Sequence, residues 1–125
     1  MSHIDKALAF IRHWEAKDVE AILSALASDV VYHNIPMPVL TGRDAVREFI
    51  TPFLGGVERV QWEVHQIAET AQGAVLTERS DYFFMEGGAN ISVRVMGVFE
   101  FNSAGEIDKW RDYFDLAEFQ AQKTS

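Results

Sequence analysis

The stretch Gly105-Glu-Ile-Asp-Lys-Trp-Arg-Asp-Tyr-Phe-Asp115 alternates side chains of different character with a period of two. Successive strand residues point to opposite faces of a sheet, so Trp110, Asp112 and Phe114 share one face and Lys109, Arg111 and Tyr113 the other. The stretch reads as a strand with an aromatic face into which one carboxylate is set. A carboxylate between two large apolar neighbours is costly to keep charged unless it is paired or hydrogen-bonded. The best candidate partners lie upstream, at Arg79 and Asp81 and at Tyr32 and Asn34.

Working back from that strand, residues 58–69, 73–86 and 90–102 form three more long alternating runs. Their connections, Ala71-Gln-Gly73, Glu86-Gly-Gly-Ala-Asn90 and Asn102-Ser-Ala-Gly105, are short and contain glycine, which favours hairpins over crossovers and predicts an antiparallel meander. Arg79 and Asp81, two apart, fall on one face with Val75, Thr77, Phe83 and Met85. The matching face of the next run, Ile91, Val93, Val95, Gly97, Phe99 and Phe101, is nearly all apolar and would wall a pocket. In the first run Val60, Trp62 and Val64 alternate with Gln61, Glu63 and His65.

The N-terminal half reads differently. Ile4, Ala7, Leu8, Ile11 and Trp14 recur at helical spacing, with Ser2 and Asp5 as a capping pair. Asp18 suits the N-cap of a short helix burying Ala21, Ile22, Ala25 and Leu26 and stopping around Ser28 and Asp29. Val30 to Asn34 is a short strand that Pro36 and Pro38 end. Thr41-Gly-Arg-Asp44 matches a capping box, and Val46, Phe49, Ile50 and Phe53 give a third helical stripe, disturbed by Pro52 and closed by Gly55 and Gly56. Helices followed by a long sheet predict an α+β domain, its N-terminal helices packed on one face of a strongly curved, largely antiparallel mixed sheet.

A length of 125 residues suits one domain, residues 1–125, since compact domains most often run to about 100–150 residues. At 48% hydrophobic and 24% charged, the composition suggests neither disorder nor a membrane span. The absence of cysteine removes disulfides, thiolate nucleophiles and Cys-ligated metals. A formal net charge of -8 opposes binding to nucleic acid, which relies on Lys and Arg. His3, His13, His33 and His65 have no metal-ligand spacing, and no G-x-S-x-G elbow is present. The start of the chain does not resemble a signal peptide and the Asn90-Ile-Ser92 sequon is a chance match, so the expected compartment is the cytoplasm.

Alternation leaves two arrangements open for the charged residues. In one, Arg79 and Asp81 pair on the solvated side of the sheet, with Asp112 at a wet strand end. In the other, they line an internal pocket with Tyr32 and Asn34. The apolar lining would then be Met37 and Leu40 after the early strand, Trp62, Val64, Phe83, Val93 and Val95 on the central strands, and Trp110, Phe114 and Phe119 near the C-terminus.

Tyr32-His-Asn34-Ile-Pro-Met-Pro38, Gly42-Arg-Asp-Ala-Val46, Thr77-Glu-Arg-Ser-Asp81, Gly97-Val-Phe99 and Trp110-Arg-Asp-Tyr-Phe-Asp-Leu116 resemble, in order and separation, the limonene-1,2-epoxide hydrolase family. The resemblance covers nearly the whole chain. It implies the cone-shaped sheet with an internal pocket of the nuclear transport factor 2-like superfamily. It also implies cofactor-free, metal-free hydration of a small apolar epoxide to a vicinal diol, without a covalent intermediate. By the same resemblance Asp112 is the general base, Tyr32 and Asn34 help it hold the attacking water, Asp81 is the general acid, and Arg79 bridges the two carboxylates. The sequence departs from the family in a shorter N-terminus and in the size of Phe83, Val93, Val95 and Phe119, which bears on the substrate rather than the reaction. Ketosteroid isomerases and polyketide cyclases of the same superfamily, or a non-catalytic binder of small ligands, are the alternatives. On the outer sheet face, Leu76, Tyr82, Phe84, Met96, Val98 and Tyr113 predict a homodimer interface.

Overall fold

The computed structural model describes residues 1–123. Along the chain it contains α1 (His3–Glu15), α2 (Val19–Ser24), β1 (Leu26–Asn34), β2 (Leu40–Thr41), α3 (Arg43–Gly55), β3 (Val57–Glu69), β4 (Val75–Met85), β5 (Asn90–Phe101), β6 (Ile107–Tyr113) and α4 (Leu116–Lys123). The six strands form one sheet in the order β2-β1-β6-β5-β4-β3. The β3 to β6 meander is antiparallel throughout, whereas β1 joins β6 in parallel. Register shifts interrupt β3 against β4 at two places and β1 against β6 at one. Such bulges bend a strand and increase its twist, which lets a sheet curl around the helices on its inner side.

The helix α1 lies against this inner face. Its capping box is formed by Ser2 and Asp5, and its buried residues are Ala7, Phe10, Ile11 and Trp14. Phe10 was not on the expected stripe, yet it is fully buried, while Ile4 and Leu8 are half-buried. The buried arc is rotated because Phe10 meets Phe99 and Trp110 edge-on, with ring centroids 5.8 and 5.0 Å apart, and Trp14 stacks on Trp62 at 4.8 Å. Burying each such ring stabilises the fold by about 1.5–3 kcal/mol, so sheet contacts decide which face of the helix turns inward.

Four local expectations are corrected. The second helix ends at Ser24, and the strand starts at Leu26 instead of Val30. Leu26 pairs with Ile107, whose N–H donates to Ala25 O at 3.0 Å, so β-pairing overrides the helical spacing there. The Thr41 capping box does not form: Thr41 pairs with Val31 in β2, and Gly42, at φ 92°, is an N-cap without a side-chain bond. The last strand stops at Tyr113. Asp115 then accepts from Glu118 N at 3.1 Å and opens α4, a helix that the sequence reading did not contain.

Among the described residues, no helix is long and apolar enough to cross a membrane. The outer sheet face carries Leu76, Tyr82, Phe84 and Val98 half-buried and Met96 and Tyr113 exposed. Met96 and Tyr113 are directly opposite each other across β5 and β6.

Candidate active site

Alternation along β4 places Thr77, Arg79, Asp81 and Phe83 on the inner face, where all four are buried. On β6 it places Trp110 and Asp112 on the same side. Arg79 is 0% exposed, Asp81 3% and Asp112 5%, which excludes the arrangement with these groups on the solvated face. Arg79 donates from Nε and Nη2 to the two oxygens of Asp81, each at 3.0 Å, and Nη2 also reaches Asp112 Oδ1 at 3.3 Å. The planar guanidinium thus takes one carboxylate in a two-pronged grip and bridges to the second. Its outer edge, Nη1, donates to Thr77 Oγ1 at 2.8 Å. The ring of Trp62 lies 4.7 Å from the guanidinium carbon.

Parallel pairing of β1 with β6 sets Tyr32 opposite Trp110 and Asn34 opposite Asp112. Tyr32 stacks on Trp110 at 3.9 Å, and its hydroxyl donates to Asn34 Oδ1 at 3.1 Å. Trp110 Nε1 donates to Asp112 Oδ1 at 3.1 Å. Asp112 therefore accepts from an indole and a guanidinium, with a phenol and an amide alongside.

Burial sets the proton affinities. It raises Asp81 to about 6, against the opposing pull of Arg79 and with further help from the charge of Asp112. Burial also raises Asp112, opposed by Arg79 and by the Trp110 hydrogen bond. Tyr32 is pushed well above the ordinary phenol range, first by burial and then by Asp112, so it remains a neutral donor. For Arg79, burial would lower the value, but Asp112 and Asp81 together outweigh it and hold the guanidinium charged. Two interacting carboxyls of raised proton affinity can hold one proton between them near neutrality.

A cavity of about 150 Å³ opens from these groups. Asp81, Asp112, Tyr32 and Asn34 line it, together with aromatic and aliphatic side chains from β3, β4, β5, α3 and α4. Among the described residues no three His, Asp or Glu side chains converge to hold a metal ion.

A family model described as the limonene-1,2-epoxide hydrolase catalytic domain matches residues 1–124. The chain belongs to the limonene-1,2-epoxide hydrolase family. It is 34% identical over 110 residues to epoxide hydrolase EphG of Mycobacterium tuberculosis, covering 86% of this chain and 70% of that protein. The structure of an M. tuberculosis LEH-like epoxide hydrolase superposes with a TM-score of 0.82 at 29% identity, covering 96% of this chain and 87% of the other. Two more distant structures share the fold alone. One is SalBIII, an epoxide hydrolase/cyclase-like enzyme in pyran ring formation in the polyether salinomycin, with a TM-score of 0.83 at 17% identity and coverage of 93% and 92%. The other is a Shewanella denitrificans protein described as SnoaL-like, with a TM-score of 0.87 at 14% identity and coverage of 98% and 96%. The cone fold expected from the limonene-1,2-epoxide hydrolase resemblance is thus the fold observed.

The structure brings together all five residues to which the limonene-1,2-epoxide hydrolase resemblance gives catalytic roles, although they come from β1, β4 and β6. Of the expected apolar lining, Met37, Trp62, Phe83, Val93, Val95, Phe114 and Phe119 border the cavity. Leu40, Val64 and Trp110 do not. Leu40 is drawn into edge pairing with Tyr32, Val64 packs against the core opposite Arg79, and Trp110 is fully buried with its N–H on Asp112. The sequence reading missed Trp14, Phe49, Phe53 and Lys123 as lining residues. The first three stood on helical apolar stripes, where a pocket wall and a core residue carry the same signal. Lys123 lies on α4, which had no expected counterpart.

Proposed function

We propose that this chain is an epoxide hydrolase that adds water to a compact apolar epoxide, giving a vicinal diol by concerted general acid/base catalysis. The observation that carries the reading is Arg79, fully buried and hydrogen-bonded to both Asp81 and Asp112 at the polar end of an apolar cavity. Opening an epoxide requires a proton on its oxygen while a nucleophile attacks carbon, so one carboxyl must be protonated while the other is ionised. Asp112 takes a proton from a water held with Tyr32 and Asn34, and that water oxygen bonds to the epoxide carbon. The carbon–oxygen bond breaks as Asp81 gives its proton to the leaving oxygen. A proton then returns from Asp112 to Asp81, and Arg79 stays charged throughout. Since both reactants are epoxide and water, the reaction calls for no metal, nucleotide or flavin.

Family membership and the 34% identity to EphG support the reaction class. The apolar lining and the modest cavity volume support the substrate class. A panel of cyclic and linear epoxides, read by chiral chromatography for diol, tests the activity. A single turnover in heavy-oxygen water, with enzyme in excess, tests the route: direct attack labels the diol at once. Unlabelled diol with label appearing in Asp112 would instead mean an ester intermediate. The outer-face residues Met96 and Tyr113 support a homodimer, and a stable monomer in sedimentation at micromolar concentration would refute it.

A further inference from the structure

We infer that Gly97 and Thr77 are positioning residues for the acid/base pair. Gly97 acts by having no side chain where the Arg79 guanidinium lies, and Thr77 by holding the guanidinium edge that neither carboxylate takes. The inference rests on the proposed reading of Asp81 and Asp112 as acid and base.

The register of three strands makes the arrangement. Thr77 on β4 is directly opposite Gly97 on β5, and Gly97 is directly opposite Asp112 on β6. The inward positions of β5 on either side of Gly97, Val95 and Phe99, are both buried and carry branched or aromatic side chains, so the glycine is a notch in the inner face of the sheet. Backbone conformation does not explain it, because Gly97 is not among the glycines at positive φ. Space does. A Cβ at position 97 would run into Arg79 Nη1 and would lie 2.8 Å from Asp112 Oδ1 and 3.0 Å from Thr77 Oγ1. Any side chain there must push the guanidinium off the position from which it reaches both carboxylates.

Thr77 closes the other side. It is 1% exposed and absent from the cavity lining, so it does not meet a bound substrate. Its hydroxyl accepts from Arg79 Nη1 at 2.8 Å and turns its own proton toward Gly97 O at 3.4 Å. With Nη1 anchored there and Nε on Asp81, the guanidinium plane is fixed from both edges, and Nη2 stays between Asp81 and Asp112. Without the hydroxyl, buried charged N–H groups lose their acceptor, which is costly enough to move the group. A carboxyl that loses its contact with the guanidinium binds its proton more tightly. The titratable groups facing the guanidinium are Asp81 from β4, Asp112 from β6 and Tyr32 from β1. The adjoining elements present Trp62 from β3 and Phe99 from β5, which do not titrate.

The test compares Thr77→Val, Thr77→Ser and Gly97→Ala with the parent protein. One measurement is kcat and KM on an epoxide that the parent hydrolyses, and the other is the pH titration of the Asp81 and Asp112 carboxyl carbons by NMR. Thr77→Val is expected to lower kcat about tenfold with little change in KM, and to move the carboxyl titrations to higher pH. Thr77→Ser, which keeps the hydroxyl, restores both. Gly97→Ala is expected to lower kcat about 100-fold, the effect of displacing a reacting group by about 1 Å. If Gly97→Ala does not fold, the Val and Ser pair at position 77 decides. Folded Thr77→Val with parental kcat and titrations, or with a lowered Tm as its only change, overturns the inference. Loss of kcat without movement of the titrations also overturns it. If the parent opens no epoxide, the reaction reading fails by itself, and the titrations still decide whether these two residues place Arg79 between the carboxyls.

Discussion

Two kinds of Arg–carboxylate pairing lie back to back on the same strands, and only burial separates them. On the inner face, Arg79 holds Asp81 and Asp112 with all three side chains at most 7% exposed. On the outer face, Arg94 reaches Glu78 at 3.4 Å with 65% and 41% of those side chains exposed, and Arg111 reaches Glu100 at 2.6 Å. Glu78 and Arg79 are neighbours in the chain. A screened surface pair contributes little, because water solvates both charges nearly as well as each solvates the other. The inner cluster cannot rely on water, so its proton affinities depend on each neighbour. The alternation of a strand therefore decides which arginine sits in water and which is sealed against two carboxylates.

The largest expected effect falls on the inner carboxylates. Asp112→Asn and Asp81→Asn each remove half of the proposed acid/base pair while keeping shape, and each should lower diol formation by about 1,000-fold or more. Circular dichroism should show the fold retained. Parental turnover in either purified variant would break the contrast between the faces.

Arg79→Leu should cost about 3 kcal/mol of stability at pH 7, because two buried carboxylates lose the guanidinium that both contact. The sign of its pH dependence is fixed. Asp81, already at about 6 in the fold against 3.8 as the reference value, moves further up without the guanidinium. The folded state then binds the proton more tightly than the unfolded chain, so stability is recovered as pH falls through the raised value and is lost as pH rises through it. Chemical denaturation at pH 4 and pH 7 should show a smaller gap from the parent at pH 4. An equal gap at both would mean that the cost lies in packing.

The smallest effect belongs outside. Arg94→Ala should change stability by no more than about 0.5 kcal/mol and leave kcat unchanged, as urea titration and a diol assay would reveal. A large loss would point to an interface over that face.

Much of this division was legible in the sequence because β4, β5 and β6 largely alternate, although Ser80 is buried between Arg79 and Asp81. The side assigned to Arg79, Asp81 and Asp112 is the side on which they are buried. What alternation could not give was depth: the same period of two fits a buried pocket and a wet sheet face. Distance was equally hidden, since the partnership of Asn34 with Asp112 depends on a parallel register that no local pattern encodes. Leu26 read as the end of a helix because its helical spacing is real, but the backbone of Ile107 captured it. At Gly97 the letter was plain, yet its role becomes visible only when the guanidinium of Arg79 is placed above it.

The parallel seam between β1 and β6 also has a temporal meaning. It joins β1 to β6, so closing it encloses the chain between them and carries the largest loop-closure entropy of any strand pairing in the described sheet. The β3 to β6 meander can assemble from neighbours, whereas Tyr32 and Asn34 meet Asp112 only after β6 exists. On a ribosome, that means Tyr32 and Asn34 are made without their Asp112 neighbour until β6 has been synthesised. Pulse-labelled amide exchange during refolding should find the seam protected after the meander; simultaneous protection would mean that the two ends of the chain nucleate the fold together.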